Sequence, residues 1–324
     1  MTERVIVTGA AGFIGRNVVA ELNRRGPVEL ILVDDLGTGE KWRNLVGLRF
    51  EDILAPSDLW GWLAGRAQGH VNAIVHLGAC SSTTETDAEY LANNNYRYTR
   101  RLCEWALANS SRFIYASSAA TYGDGSAGFS DDDGVTESLA PLNMYGYSKH
   151  IFDLWALHNR LFERIVGLKY FNVFGPYEDH KADMRSVVVK AYDEIGRTGQ
   201  LSLFKSYRDG IADGEQRRDF IFVGDAVDVT LHFLAEGTAS GLFNCGTGVA
   251  RTWLDLGRAV FASLGRAPDI RFVDMPEQIR EKYQYFTQAE MGKLRAAGYS
   301  APFRSLEEGV DEYVRGYLAK RGAR

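Results

Sequence analysis

Thr8-Gly9-Ala10-Ala11-Gly12-Phe13-Ile14-Gly15 decides the reading of the fold. The apolar run Val5-Ile6-Val7 leads into this stretch, and a helical pattern from Ile14 to Arg25 leads out of it. Glycine at 9 and 12 permits a tight turn and lets backbone approach a pyrophosphate, and glycine at 15 lets a helix pack closely on a sheet. The helix N-terminus adds N–H donors and the positive end of its dipole. A glycine pattern alone is weak; its place after a strand and before a helix is what gives it meaning. The segment predicts a dinucleotide site made by Gly9, Gly12, Phe13, Ile14 and Gly15.

Working outward, Leu30-Ile31-Leu32-Val33, Ala73-Ile74-Val75-His76-Leu77, Phe113-Ile114-Tyr115-Ala116 and the segment from Ile165 to Tyr170 are further short apolar runs. Continuous apolar runs are expected of strands buried on both faces of a parallel sheet. Helical patterns such as Tyr90 to Ala108 lie between them. The alternation predicts an α/β fold, a Rossmann-type doubly wound parallel sheet. After about residue 172 the pattern becomes irregular, and Lys205 to Gln216 reads as an exposed loop. The expected division is a cofactor-binding Rossmann domain over 1–172, with chain re-entry around 219–247, and a smaller α/β substrate-binding domain over 173–324.

Composition agrees with an enzyme-like globular chain: of 324 residues, 45% are hydrophobic and 24% charged. The formal charge of -5 leaves no basic stripe for nucleic acid. No apolar run approaches the ~18 residues needed to span a bilayer, and the N-terminus lacks a signal-peptide pattern. Cys80, Cys103 and Cys245 have no metal-like spacing and read as reduced thiols, so a cytoplasmic location is expected. The acidic run Asp131-Asp132-Asp133 reads as a solvated loop, and no metal site is expected.

Tyr145-Gly146-Tyr147-Ser148-Lys149 is the second informative motif. Residues at i and i+4 share a helix face, so the Tyr145 phenol and the Lys149 ammonium can act together. A free phenol ionises near pH ~10 and is a poor base at neutrality. A neighbouring ammonium stabilises phenolate and makes proton removal from a hydroxyl feasible. Tyr147 faces elsewhere. Ser118, in Ser117-Ser118 at the end of a strand, would hydrogen-bond the reacting hydroxyl. Asp34 ends the second strand, where a carboxylate usually holds the adenine ribose and favours NAD. Lys41 follows closely and offsets that charge.

Together these motifs resemble the extended short-chain dehydrogenases acting on nucleotide sugars. The glycine spacing, the Arg218-Asp219-Phe220-Ile221-Phe222-Val223-Gly224-Asp225 segment and Phe243-Asn244-Cys245-Gly246-Thr247-Gly248 all belong to the resemblance. Dehydratases of that group place Asp-Glu just after the active-site Ser or Thr. Here Ala119 and Ala120 stand there and cannot move protons, which disfavours dehydration. Longer runs are similar to the ADP-glycero-manno-heptose 6-epimerases: Gly78 to Glu85, Asn94-Asn95-Tyr96, Ala116 to Gly123, Tyr170 to Pro176, His180-Lys181 and Tyr285 to Ala289.

The resemblance implies an ADP-heptose substrate and a homo-oligomer, a pentamer being one form. It implies NADP, on the acid-then-lysine pair Asp34 and Lys41, although Pro56 stands where the family often has a second lysine; NAD stays the alternative. It adds Asp35, Leu77, Gly78, Ala79, Cys80, Ser81, Asn94, Lys149 and Val173 to the cofactor contacts. Lys181 is implied as a second acid/base residue. Ser82, Asn172, Lys181, Asp183, Lys190, Phe204, Lys205, Ser206, Arg218 and Tyr283 are implied around the substrate. Asp183 and Lys190 depart from the serine and histidine common in that family. His76 and His180 read as structural or cofactor-adjacent. A UDP-hexose 4-epimerase and a dinucleotide-binding protein without catalysis are the competing readings.

Overall fold

The structure, a computed structural model, describes residues 3–65, 69–235, 237–280 and 283–323, with side chains for all of these except 182, 183, 278, 279, 322 and 323. Its strands are β1 (Arg4–Thr8), β2 (Glu29–Val33), β3 (Asp52–Leu54), β4 (Ala73–His76), β5 (Arg112–Ser118), β6 (Val166–Tyr170), β7 (Asn172–Phe174), β8 (Leu201–Phe204), β9 (Arg217–Phe222), β10 (Gly241–Cys245), β11 (Ala250–Thr252) and β12 (Ile270–Val273). Seven of them form one sheet in the order β10-β6-β5-β4-β1-β2-β3. Every pairing in that sheet is parallel. The first six strands follow the Rossmann order, and the strand order reverses between β1 and β4, where α/β sheets open a ligand crevice at their carboxyl ends.

The apolar runs earn their strands by burial. Ile6, Val7, Leu30, Leu32, Ile74, Val75, Phe113 and Ile114 are each fully buried, and a side chain of that size contributes roughly 1.5–3 kcal/mol when removed from water. Helices cover both faces. Phe13–Arg25 packs with Val223–His232 on one side, and Tyr98–Ala108 and Met144–His158 lie against β5 on the other.

Residues beyond 172 form two smaller sheets. β7 and β11 flank β9, and β8 pairs with β12. The return of the chain through β10 extends the large sheet at its β6 edge. The buried Asp219 carboxylate holds this region together, accepting hydrogen bonds from Thr247 N–H, Thr247 Oγ1, Gly248 N–H and Ala289 N–H. Two reciprocal capping boxes, Thr252 with Asp255 and Ser305 with Glu308, set the starts of the helices Trp253–Ser263 and Leu306–Gly316.

Two expectations need correction. The acidic run is not wholly solvated: Asp131 is 4% exposed and accepts the Asn244 N–H at 2.7 Å, while Lys293 holds Asp133 at 2.9 Å. The run works as an internal brace because its first carboxylate faces β10. The loop from Lys205 to Gln216 is irregular as expected, but Gly214 and Gln216 are buried. No helix among the described residues is long and apolar enough to cross a membrane, and among them no cluster of His, Cys, Asp or Glu could hold a metal ion.

Candidate active site

A cleft of about 660 Å³ opens at the carboxyl ends of β1, β4 and β5, within the usual range for small-molecule sites. Its floor is the glycine turn. Gly9 has φ +67°, and a Cβ there would stand 2.7 Å from the Gly78 nitrogen, so only glycine lets the turn and the loop after β4 approach each other. A Cβ on Gly15 would collide with the Gly9 carbonyl oxygen. The helix that follows has Gly12 as its N-cap and no side-chain cap. Its first N–H groups are therefore open to an anion.

At the end of β2, Asp34 accepts the Ala11 N–H at 2.8 Å on one oxygen and Lys41 Nζ at 2.5 Å on the other. Lys41 also donates to the Asp35 carbonyl at 3.0 Å. The Asp34 charge is thus largely compensated within the protein. Both residues line the cleft with His180, whose Nδ1 lies 3.1 Å from Asn44 Nδ2. Burial and the ammonium groups of Lys41 and Lys181 push the His180 imidazole down to about 4, so it is neutral at pH 7. His76 lies beneath the floor, bonded to Thr8 Oγ1 at 2.6 Å and Thr99 Oγ1 at 2.8 Å. Burial, with the Lys149 charge, pushes it to about 3. It is a neutral structural residue.

The helix Met144–His158 carries the Tyr-Lys motif. Asn143 caps it by accepting the Gly146 N–H at 2.8 Å, and the first turn delivers Tyr145 to the cleft. Ser118, Tyr145 and Lys149 line that cleft together, whereas Tyr147 is 57% exposed on the opposite side. Lys149 Nζ donates to the Ala116 carbonyl at 2.9 Å. Burial pushes its ammonium down to about 8, opposed by the Asp153 carboxylate. Burial raises the Tyr145 phenol, and a hydrogen bond with Ser118 acts in the other direction. Lys149 lies one turn further along the same helix face and lines the same cleft.

Lys181, from the short helix Asp179–Met184, lines the cleft and lies 5.3 Å from the centre of the Phe13 ring. Burial lowers its pKa, which brings it closer to the range where a lysine exchanges protons. Leu77, Gly78, Ala79, Cys80, Ser81, Ser82, Asn172 and Val173 also line this space.

Other expected residues stand outside that lining. Asp35 is exposed and accepts the Gly37 N–H at 3.1 Å. Lys190 is exposed on the helix Val187–Thr198. Phe204 ends β8 and is 37% exposed, Lys205 pairs with Asp274 at 3.1 Å, and Ser206 N–H donates to Asp213 at 2.7 Å. The Asp183 side chain lies outside the described residues. Arg218 and Tyr283 do come together, the guanidinium 5.0 Å from the Tyr283 ring centre. They adjoin the cleft through Trp253, whose indole N–H donates to the Tyr283 hydroxyl at 2.8 Å.

No sequence motif points to Trp253, and Asn95 stands out only as part of the Asn94-Asn95-Tyr96 run. Asn94 does not line the cleft, but its neighbour Asn95, 1% exposed, works behind it. Asn95 accepts the Cys80 N–H at 2.8 Å and donates to the Cys80 carbonyl and to Ser148 Oγ, each at 2.9 Å. It joins the loop after β4 to the helix Met144–His158 from a π-helical turn, Ala92–Arg97, a distortion common near functional sites. The helical periodicity is unbroken there, so only the Asn-Asn-Tyr string signals it.

A family model described as the NAD dependent epimerase/dehydratase family matches residues 5–246. The chain is 54% identical, over 97% of its length and 98% of the relative's, to a Nitratidesulfovibrio vulgaris protein named ADP-L-glycero-D-manno-heptose-6-epimerase. It is 43% identical to a protein of the same name from Fusobacterium nucleatum, covering 98% of each. Among solved structures it is similar to the Helicobacter pylori ADP-L-glycero-D-manno-heptose-6-epimerase, with TM-score 0.83 and 26% identity over 98% of this chain and 97% of that one.

Proposed function

The chain belongs to the NAD dependent epimerase/dehydratase family, and from that premise we propose that it inverts C6 of ADP-D-glycero-D-manno-heptose to give the L-glycero epimer, a precursor of the lipopolysaccharide core. The observation that carries this reading is the full-length likeness to relatives named for that reaction. Ser118, Tyr145, Lys149 and Lys181 around one cleft support it chemically.

A nicotinamide dinucleotide fits the residues present, because a Cβ at Gly9 would close the pyrophosphate turn and the helix after Gly12 begins uncapped. Bound there, it supplies the hydride acceptor and donor that this chemistry needs. The C6–H bond stands beside no carbonyl, so no side chain can remove that proton directly. Tyr145 takes the C6 hydroxyl proton as the carbon becomes a ketone, with Ser118 hydrogen-bonding the same oxygen and the Lys149 ammonium stabilising the phenolate. The ketone group then turns about the C5–C6 bond and presents its other face. Lys181 gives the oxygen its proton as C6 is reduced again. Two acid/base groups on opposite faces are what an inversion requires, and holding them there is the protein's task. In this reading residues 1–172 with 219–247 hold the cofactor, supported by the entry of β10 into the large sheet, and the remainder of 173–324 holds the sugar nucleotide.

The cofactor in this reading is NADP. Asp34 has both oxygens engaged, one by Lys41, so a 2′-phosphate meets an ammonium rather than a bare carboxylate. Lys41→Glu is expected to weaken NADP at least ~10-fold more than NAD, the scale of one lost charge-assisted contact. Titration of the cofactor-stripped protein with both nucleotides measures this, and equal losses would exclude a 2′-phosphate at Lys41.

Turnover with ADP-heptose and with UDP-galactose, followed by product analysis, tests the substrate. Epimerisation of UDP-galactose alone would overturn the reading. Deuterium at C6 of ADP-heptose is expected to remain at C6 in the product, because exchange with solvent reaches only oxygen. Loss of the label to water would point to direct deprotonation instead.

A further inference from the structure

Behind the cleft lies a second ion pair, which the proposed chemistry does not use. Asp153 and Lys169 are both fully buried and neither lines the cleft. Taking two such charges out of water costs several kcal/mol per ion, and their attraction offsets this only when geometry and hydrogen bonding are good. Here they are. Asp153 accepts Tyr115 Oη on one oxygen at 2.7 Å, and Ser117 Oγ at 2.7 Å and Lys169 Nζ at 3.2 Å on the other. Lys169 donates also to Thr121 Oγ1 at 2.6 Å. Thr121 in turn donates to the Ser118 carbonyl at 2.8 Å.

The partners of this pair lie on β5 and in the turn that follows it, beside the residues that carry the proposed chemistry. Asp153 lies one helical turn beyond Lys149, which is one turn beyond Tyr145, so all three share a face of the helix Met144–His158. That face meets β5 residue by residue, Lys149 at the Ala116 carbonyl and Asp153 at Ser117 and Tyr115. The next residue of β5 is Ser118, and its own carbonyl is held through Thr121 by Lys169 from β6. We propose that Asp153 and Lys169 are positioning residues, a buried lock that sets the register of the helix bearing Tyr145 and Lys149 against the strand bearing Ser118. The inference rests on the catalytic roles proposed above for those three.

Asp153 also acts on the Lys149 ammonium, stabilising its charge. The groups that act on that ammonium are Asp153 from its own helix, His76 of β4, Cys80 of the following loop and the Ala116 carbonyl of β5. His76 is neutral, so Asp153 is the carboxylate that supports the ammonium against its burial.

The test uses the purified holoprotein with ε-13C-lysine, the Lys149 resonance assigned by its loss in Lys149→Met. Asp153→Asn is expected to move the Lys149 titration to lower pH, because a stabilising negative charge is gone. Lys169→Gln removes the donor to Asp153 and Thr121 and is read through kcat. In both, kcat on ADP-heptose is expected to fall roughly 10-fold with KM nearly unchanged. A purely structural pair would lower thermal stability without a Lys149 shift in Asp153→Asn. Folded variants with an unmoved Lys149 titration and wild-type kcat would overturn the proposal. Should either variant fail to fold, Tyr115→Phe decides, since it removes one donor to Asp153 and strands no charge. A kcat reduced about 3-fold at unchanged KM supports the lock, and wild-type kcat and titration overturn it. The titration needs no substrate, so wild-type protein inert towards ADP-heptose would refute the function reading while leaving the Lys149 shift in Asp153→Asn as a separate result.

Discussion

Turnover of Tyr145→Phe is expected to fall at least ~100-fold, the scale of a lost general base. The substitution removes one oxygen and keeps the ring, so packing in the first turn of the helix and the Asn143 cap should survive. Nucleotide content and melting temperature should therefore stay near wild type, which separates lost chemistry from lost structure. The size of the effect follows from the absence of a substitute. Tyr147 is exposed on the other side of the helix, His76 is neutral and fully engaged by two threonines, and Ser118 is no base at neutral pH without one beside it. Lys149→Ala should do similar damage and also loosen the cofactor, since the ammonium is held against the strand end by Ala116. Wild-type turnover in Tyr145→Phe, measured by product analysis, would sink the assignment of the base.

Lys181→Met is expected to abolish overall epimerisation to a similar extent, at least ~100-fold, but to leave a different signature. Methionine keeps an unbranched apolar stem that can rest on the Phe13 ring, where the lysine now lies. Nucleotide binding should be normal. One face of the ketone then lacks its proton donor while Tyr145 still serves the other. Oxidation of one epimer should persist and appear as reduced-nicotinamide absorbance that does not decay, with little product. An ordinary rate in Lys181→Met would show that this lysine is only part of its loop, and the partner of Tyr145 would have to be another residue of the cleft.

Much of this site was legible in the chain because its chemistry is local in sequence. The glycine turn needs three residues within eight, and the Tyr-Lys pair needs one helical turn; both spacings are set by backbone geometry alone. The run from Leu77 to Ser82 follows a strand directly, so its place at the cleft follows from the strand's. The expected substrate contacts at Phe204, Lys205 and Ser206 show the opposite case. Their placement depends on how the loop after β8 folds back, and there Asp274 and Asp213 engage Lys205 and Ser206. Arg218, Tyr283 and Trp253 meet across strands and loops far apart in the chain, and no spacing rule anticipates that meeting.

Strand and helix alternation, the glycine turn and the i, i+4 pair were determined by the sequence itself, because each rests on periodicity or on the conformational freedom of single residues. Tertiary structure alone decided what those elements are braced by. Asp131 looked like part of a solvated acidic run and became a buried acceptor for β10. Asn95 sits in a helical pattern like its neighbours, yet it joins Cys80 to Ser148 because the helix takes a π turn there. Asp153 and Lys169 belong to a helix and to a strand distant in the chain; only the packing of that helix against the sheet buries both and aims each at the other. The physical reason is common to all three. Burial and partner choice for a polar side chain are set by which surfaces meet, and that is a property of the assembled layers, not of any window of residues.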